Sequence, residues 1–265
     1  MERDLFRGSK YVQSSIENTY KQIASELRNN VPALFTGTPC QVAGLRAYLQ
    51  GTKTSEELLV TNDVVCHGVP SPGIWKDYVD FLQKKYNSKL TEFTFRNKKV
   101  GWRGYNISAG FENGKIVGNE KSTKIFTNLF LKDIMLRPSC FYCPYAQMRR
   151  CSDITIGDFW GIEKAIPEFS DNQGISMVLL NTQRGEKVFD KVCTALEIEK
   201  CSVNKLTQHN LYTSTQHGED YDRFWIDYHN GGFIKVTKKY GGYGELSKLR
   251  YYKAAIKFKV RRLFK

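Results

Sequence analysis

The chain has 265 residues, 41% hydrophobic and 25% charged, enough to bury a sizeable core in one large domain or two small ones. No run approaches the ~18 apolar residues of a membrane-spanning helix, and Met1-Glu2-Arg3-Asp4 leads into no apolar secretory segment. The net charge of +13 lies mostly at one end: residues 235–265 carry 11 Lys and Arg against Glu245, while residues 1–234 carry 29 basic and 26 acidic residues. A nucleic-acid-binding domain would show a basic face within its folded body, so no nucleic-acid partner is expected. Without an export signal the chain is read as cytoplasmic, where its seven cysteines serve as metal ligands, redox groups or buried thiols rather than disulfides.

Along the chain, the apolar run Val31 to Phe35 predicts a buried strand that ends at Thr36-Gly37-Thr38-Pro39. Thr38 can cap the following helix with Pro39 at its first position, and the helix continues through Val42, Leu45 and Leu49. Leu58 to Val65 repeats the theme, interrupted by the polar Thr61-Asn62-Asp63. A second helix then starts at Ser71-Pro72 and carries Ile74, Tyr78, Phe81 and Leu82 on one face. This strand–helix–strand–helix unit predicts a parallel pair. Leu90 to Arg96 and Tyr105 to Phe111 alternate in polarity, and Asn113-Gly114 turns the chain before Lys115 to Val117, so an antiparallel section is expected. Phe126 to Leu136 reads as a helix, Ile154 to Ile156 and Met177 to Asn181 as strands, and Gly185 to Leu196 as a helix. The fold class is therefore α/β with a mixed sheet, followed by a basic C-terminal helix. In that helix Leu249, Tyr252, Ile256, Val260 and Leu263 recur at spacings of three and four among Lys and Arg. Such a tail suits an anionic membrane surface or an acidic partner, and equally suits docking on its own domain.

Four cysteines carry the chemistry. Cys40 sits in the first turn of its predicted helix, and Cys66 follows the second strand, so both sulfurs are expected at one sheet edge. Helix N-termini favour thiolates, and thiolates are what metal centres bind. Cys140 and Cys143 form a C-x-x-C pair that can grip two corners of one iron–sulfur cluster. The competing readings are small buried thiols at Cys40 and Cys66, and a zinc site built on the pair. Zinc sites with four cysteines usually have two close pairs, whereas Cys40 and Cys66 are far apart, which favours a cluster. Cys193 and Cys201 fall in a predicted helix and its exit, and read as structural.

Gly8-Ser9-Lys10-Tyr11-Val12-Gln13-Ser14, Gly37-Thr38-Pro39-Cys40-Gln41, Cys66-His67-Gly68-Val69-Pro70-Ser71-Pro72, Phe95-Arg96-Asn97-Lys98 and Arg137-Pro138-Ser139-Cys140-Phe141-Tyr142-Cys143 occur in that order. They are followed by Ser152-Asp153-Ile154-Thr155-Ile156-Gly157-Asp158-Phe159-Trp160-Gly161. Together they resemble the C-terminal region of the coenzyme F(420) hydrogenase/dehydrogenase beta-subunit family. The resemblance implies an iron–sulfur flavoprotein oxidoreductase that passes electrons between a 4Fe-4S cluster, FAD and a deazaflavin or other organic acceptor. It implies Cys40, Cys66, Cys140 and Cys143 as cluster ligands, and leaves Cys151 outside that set. Longer relatives carry a two-cluster ferredoxin module ahead of the first motif, so a ferredoxin-like module or redox partner protein is expected here.

A flavin needs backbone amides and cations for its pyrophosphate. Lys10, Gln13, Gly37, Thr38, Arg96 and Lys98 are the candidates, although Gly37-Thr38 is equally an ordinary helix entry and Lys98 an ordinary turn lysine. His67, beside Cys66, is the candidate proton donor, or else a loop-fixing neighbour. The expected organisation is one redox domain over residues 1–234 and a basic amphipathic tail over 235–265, which would hold the protein at the inner face of the membrane if it binds lipid. Two alternatives remain: a cluster-carrying partner or assembly subunit without catalysis, and a zinc-stabilised scaffold at a membrane surface.

Overall fold

The computed structural model describes residues 8–98, 101–104 and 106–244. In chain order the principal elements are α1 (Thr19–Arg28), β1 (Ala33–Gly37), α2 (Pro39–Gly51), β2 (Leu59–Val64), α3 (Pro72–Tyr86), β3 (Leu90–Thr94), β4 (Ser108–Phe111) and β5 (Ile116–Gly118). Then follow α4 (Lys121–Phe130), β6 (Ile154–Asp158), α5 (Ile162–Ala165), β7 (Ser176–Leu180), α6 (Gln183–Asp190) and α7 (Tyr221–Lys239). They form two compact units. One comprises Ser14–Gly68 with Ser139–Thr215, and the other is built around Val69–Pro138 with described residues from both ends of the chain.

In the first unit a four-stranded sheet runs in the order β1-β2-β6-β7. β1, β2 and β6 are parallel and β7 is antiparallel, so the sheet is mixed as expected. Ala33 pairs with Leu59 and Gly37 with Asp63, which brings the ends of β1 and β2 level. Leu59, Thr61 and Asp63 alternate on the buried face, beside a core of Val42, Leu45 and Leu49 from α2 and Ile23 and Leu27 from α1. Each such leucine contributes ~2 kcal/mol relative to an exposed one.

The polar interruption in β2 is explained by partners across the sheet. Thr61 donates to the Asp153 carboxylate from both its backbone N–H and its hydroxyl, each at 2.8 Å. Thr182 adds a third hydrogen bond at 2.7 Å, and Arg46 lies 3.6 Å away. Burial raises the Asp153 pKa, but the hydrogen bonds from Thr182 and Thr61, with the Arg46 charge, outweigh it and hold the carboxyl below its ordinary range. A pKa lower in the folded than in the unfolded chain gives stability that is present above about pH 4 and lost as pH falls through the folded value. Denaturant melts at pH 6 and pH 3 should therefore show an acid loss of stability that Asp153→Asn reduces. An acid limb of unchanged slope in the variant would contradict this account.

The second unit holds the antiparallel sheet, in the order β3-β4-β5. Gly114, at φ 79°, closes the β4–β5 hairpin, where the Lys115 N–H donates to Asn113 Oδ1. The helix expected over Phe126 to Leu136 lies earlier, at Lys121–Phe130. Asp133 then turns the chain at φ 56°, and Ile134, Met135 and Leu136 are buried beyond it, with Leu136 in an isolated bridge to Pro70. There the Ser71 N–H donates to Met135 O and the Arg137 N–H to Val69 O, both at 2.9 Å. Burial on every side had mimicked a helical stripe. The helix expected over Gly185 to Leu196 similarly ends at Asp190, and Cys193–Ala195 forms a separate 3-10 turn.

Helix α7 runs across residue 235, where the charge count begins to climb, and bends at Gly232 (φ 66°). Asp227 ties its two halves, ion-paired to Lys235 at 2.8 Å and accepting from the Tyr240 hydroxyl at 2.7 Å. The predicted basic helix from Leu249 to Leu263 lies outside the described residues. Among the described residues no helix is long and apolar enough to cross a membrane.

Candidate functional site

The turn out of β1 is built to present Cys40. Thr38 adopts an extended cap conformation, Pro39 opens α2, and the Thr38 N–H donates to Gln41 Oε1 at 2.9 Å. A side chain at Gly37 would meet that same Oε1 at 3.0 Å, so glycine gives Gln41 room to fold back on the cap. The Tyr20 hydroxyl fixes the turn from the α1 side, donating to Gln41 O at 2.7 Å. Cys40 is left exposed, with the Thr38 hydroxyl 3.1 Å from its sulfur.

Cys66 emerges where β2 ends. Burial pushes its thiol up to about 12 against an opposing hydrogen bond from the Gly68 backbone, and Cys140, Cys40 and Cys143 push the same way. The helix-dipole argument for a ready thiolate therefore does not hold at Cys66, because desolvation dominates. The same balance carries a positive finding. Two other stretches, remote in sequence, bring the sulfurs of Cys40, Cys140 and Cys143 within electrostatic reach of the Cys66 thiol. A bound metal reverses the proton balance, since a coordinating thiol gives up its proton to the metal.

Cys140 lies in a 3-10 turn, Pro138–Tyr142, with the buried Phe141 beneath it. Two neighbouring residues hold this turn and the Cys66 loop. The Ser214 hydroxyl donates to Phe141 O at 2.7 Å, and the Thr215 hydroxyl donates to His67 O. Asn210 in turn donates to the Thr215 hydroxyl at 3.0 Å. Below the cysteines Arg150 and Asp63 form a fully buried ion pair at 3.0 Å. Cys151 is directed into the base of the site, where its thiol donates to Pro39 O at 3.2 Å.

Among the described residues no three His, Cys, Asp or Glu stand close enough to hold a single metal ion. One tetrahedral ion draws its sulfurs to about 3.8 Å from one another, given Zn–S bonds of ~2.3 Å. A cluster attaches each thiolate to a different iron and accepts a wider set. With Cys66, the three cysteines in its electrostatic reach make a set of four soft donors, the ligand type that such clusters take.

The remaining predicted residues divide between the units. His67 is half-buried next to Cys66 in the first unit. Lys10, Gln13, Arg96 and Lys98 belong to the second unit. Lys10 is exposed and points its ammonium back toward Gly8 O at 3.5 Å. Lys98 is exposed in the turn that Gly101 closes. Arg96 is buried, donating to Trp102 O at 2.6 Å with its guanidinium 5.6 Å from the centre of the Trp102 ring.

The family model for the C terminus of the beta subunit of coenzyme F(420) hydrogenase/dehydrogenase matches residues 32–205, more than half of the chain and all four cysteines. The chain belongs to that family. The F(420) hydrogenase/dehydrogenase beta-subunit family is named for redox enzymes, which marks the protein as an oxidoreductase relative. A solved structure, the F(420)-reducing nickel–iron hydrogenase complex from Methanosarcina barkeri studied by xenon derivatization, is similar at 16% identity and a TM-score of 0.44. That match covers 88% of this chain and 68% of the other. No match was found among curated proteins.

Within the family motifs, sequence reasoning singled out the cysteines but missed what seats them. Arg150 carried a signal, as a cation close to Asp153 and Asp158 in sequence, but its ion-pair partner is the distant Asp63. Ser214 and Thr215 carried none, because their hydrogen bonds go to backbone carbonyls far away in sequence.

Proposed function

We propose that the protein is an iron–sulfur oxidoreductase subunit whose cluster is held by Cys40, Cys66, Cys140 and Cys143. The observation that supports this most is that Cys40, Cys140 and Cys143, from two other segments, lie within electrostatic reach of Cys66. A bound 4Fe-4S cluster supplies a one-electron carrier. The chain supplies the four sulfurs, a Gly68 N–H on one of them, and the Thr38 hydroxyl on another. FAD and an organic acceptor, a deazaflavin among them, complete the proposed electron path, with a ferredoxin-like protein as partner. Lys10, Gln13, Gly37, Thr38, Arg96 and Lys98 are the proposed flavin contacts, and His67 the proposed proton donor.

Anaerobic purification followed by iron, sulfide, zinc and flavin analysis tests the reading. Iron and sulfide in equal amounts, with absorbance near ~400 nm, support it. Stoichiometric zinc without sulfide would overturn it. Iron and sulfide without flavin would restrict the role to carrying electrons for a partner.

The Thr38 hydroxyl offers a finer check. A hydrogen bond to a ligand sulfur stabilises the reduced, more negative cluster and raises its potential. Thr38→Val should therefore lower the potential in an EPR-monitored titration while iron content stays at the wild-type level. An unchanged potential would remove Thr38 from the sulfur's environment.

A further inference from the structure

We infer that Arg150 is the positioning residue that aligns the cysteine-bearing segments, acting on the cluster only through the backbone it holds; this rests on the cluster reading above. Its side chain is 1% exposed, and that of its partner Asp63 is wholly buried. Arginine's planar fork can serve several acceptors in fixed directions, which a lysine ammonium cannot reproduce. Here the fork is fully used. One terminal nitrogen donates to Tyr145 O at 3.1 Å and Gln147 O at 3.3 Å, in the segment that follows Cys143. The other donates to Val64 O at 3.2 Å, in the strand that leads to Cys66, and pairs with Asp63. The remaining N–H reaches the Thr155 hydroxyl at 3.2 Å on β6.

The third segment is reached through Asp63. Cys151 lies 4.0 Å from the Asp63 carboxylate and donates to Pro39 O, directly ahead of Cys40. One guanidinium–carboxylate pair with a neighbouring thiol thus spans every stretch that supplies a sulfur. None of these groups need touch the cluster. Their work is to set the spacing of the sulfurs before iron arrives, so that assembly need not order three loops at once.

The test compares wild type with Arg150→Lys and Arg150→Gln after anaerobic reconstitution with iron and sulfide. It reads iron per chain, the EPR signal of the reduced cluster, the rate of iron loss to a chelator, and far-UV circular dichroism. Both variants are expected to keep the wild-type far-UV spectrum. They should load less iron, Arg150→Gln less than half and Arg150→Lys an intermediate amount, with a shifted EPR signal and several-fold faster loss to chelator. Should Arg150→Gln fail to fold, Arg150→Lys decides, because it keeps the charge against Asp63 while giving up the fork. Wild-type loading, signal and release rate in Arg150→Lys would overturn the role of Arg150 and leave the cluster reading standing. Wild-type protein that takes up no iron and sulfide would overturn the cluster reading, and this role with it.

Discussion

Replacing Cys140 or Cys143 with serine is expected to abolish or cripple cluster loading, reducing bound iron and the absorbance near ~400 nm to a small fraction of wild type. Serine keeps the size of the side chain but replaces a soft thiolate with a hard hydroxyl that stays protonated near neutral pH. Both positions lie in the segment held from one side by Ser214 and from the other by Arg150, so the fold should tolerate the change. The control is Cys193→Ser. Cys193 stands in a 3-10 turn with its thiol directed to Asp190 O at 3.3 Å, and its loss should leave loading unchanged. Full iron retention in both Cys140→Ser and Cys143→Ser, by metal analysis of anaerobic protein, would defeat the ligand assignment.

A second large effect is expected at a position with no chemistry of its own. At Gly185 an added methyl would stand 2.2 Å from Asp153 O and 3.2 Å from Ile154 Cγ1. The first of these is backbone, already accepting from the Asn181 N–H, and cannot move aside. Gly185 also donates its N–H to the Thr182 hydroxyl at 3.1 Å, and Thr182 in turn donates to the Asp153 carboxylate. Gly185→Ala should therefore lift α6 from β6 and loosen the buried acid that secures β2. The cost should lie at the upper end of the ~1–3 kcal/mol of an overpacked position, or above it. For a chain of this size that lowers the melting temperature by about 10 °C. A melt within about 2 °C of wild type would show that the helix docks differently.

The parallel pair, the capped entry to α2 and the antiparallel hairpins were legible because each is encoded locally. Thr38 with Pro39 marks a helix start, Asn113-Gly114 marks a turn, and alternation marks a half-buried strand. The expectation that Cys40 and Cys66 come to one sheet edge rested on the strand–helix pattern, and Cys40, Cys140 and Cys143 lie within electrostatic reach of Cys66. What escaped is long-range. Nothing in Thr61-Asn62-Asp63 announces that its two outer side chains face inward toward Asp153 and Arg150. The run from Phe126 to Leu136 is buried at both ends in two different conformations, and periodicity cannot separate them. The proton affinity of Cys66 was misjudged for a related reason, since its position in the sequence says nothing about how deeply it is enclosed.

The cysteine group is also lopsided. Cys40 is open to solvent, whereas Cys66 is hemmed in enough that its proton is held to about pH 12. An inorganic centre seated there would have one open vertex, at Cys40, and three partly covered ones. Oxygen and chelators would attack from the Cys40 side, so damage should begin with release of the iron at that vertex. A docking electron donor would find its shortest approach through the same opening, which ties the fragility of such a centre to its accessibility.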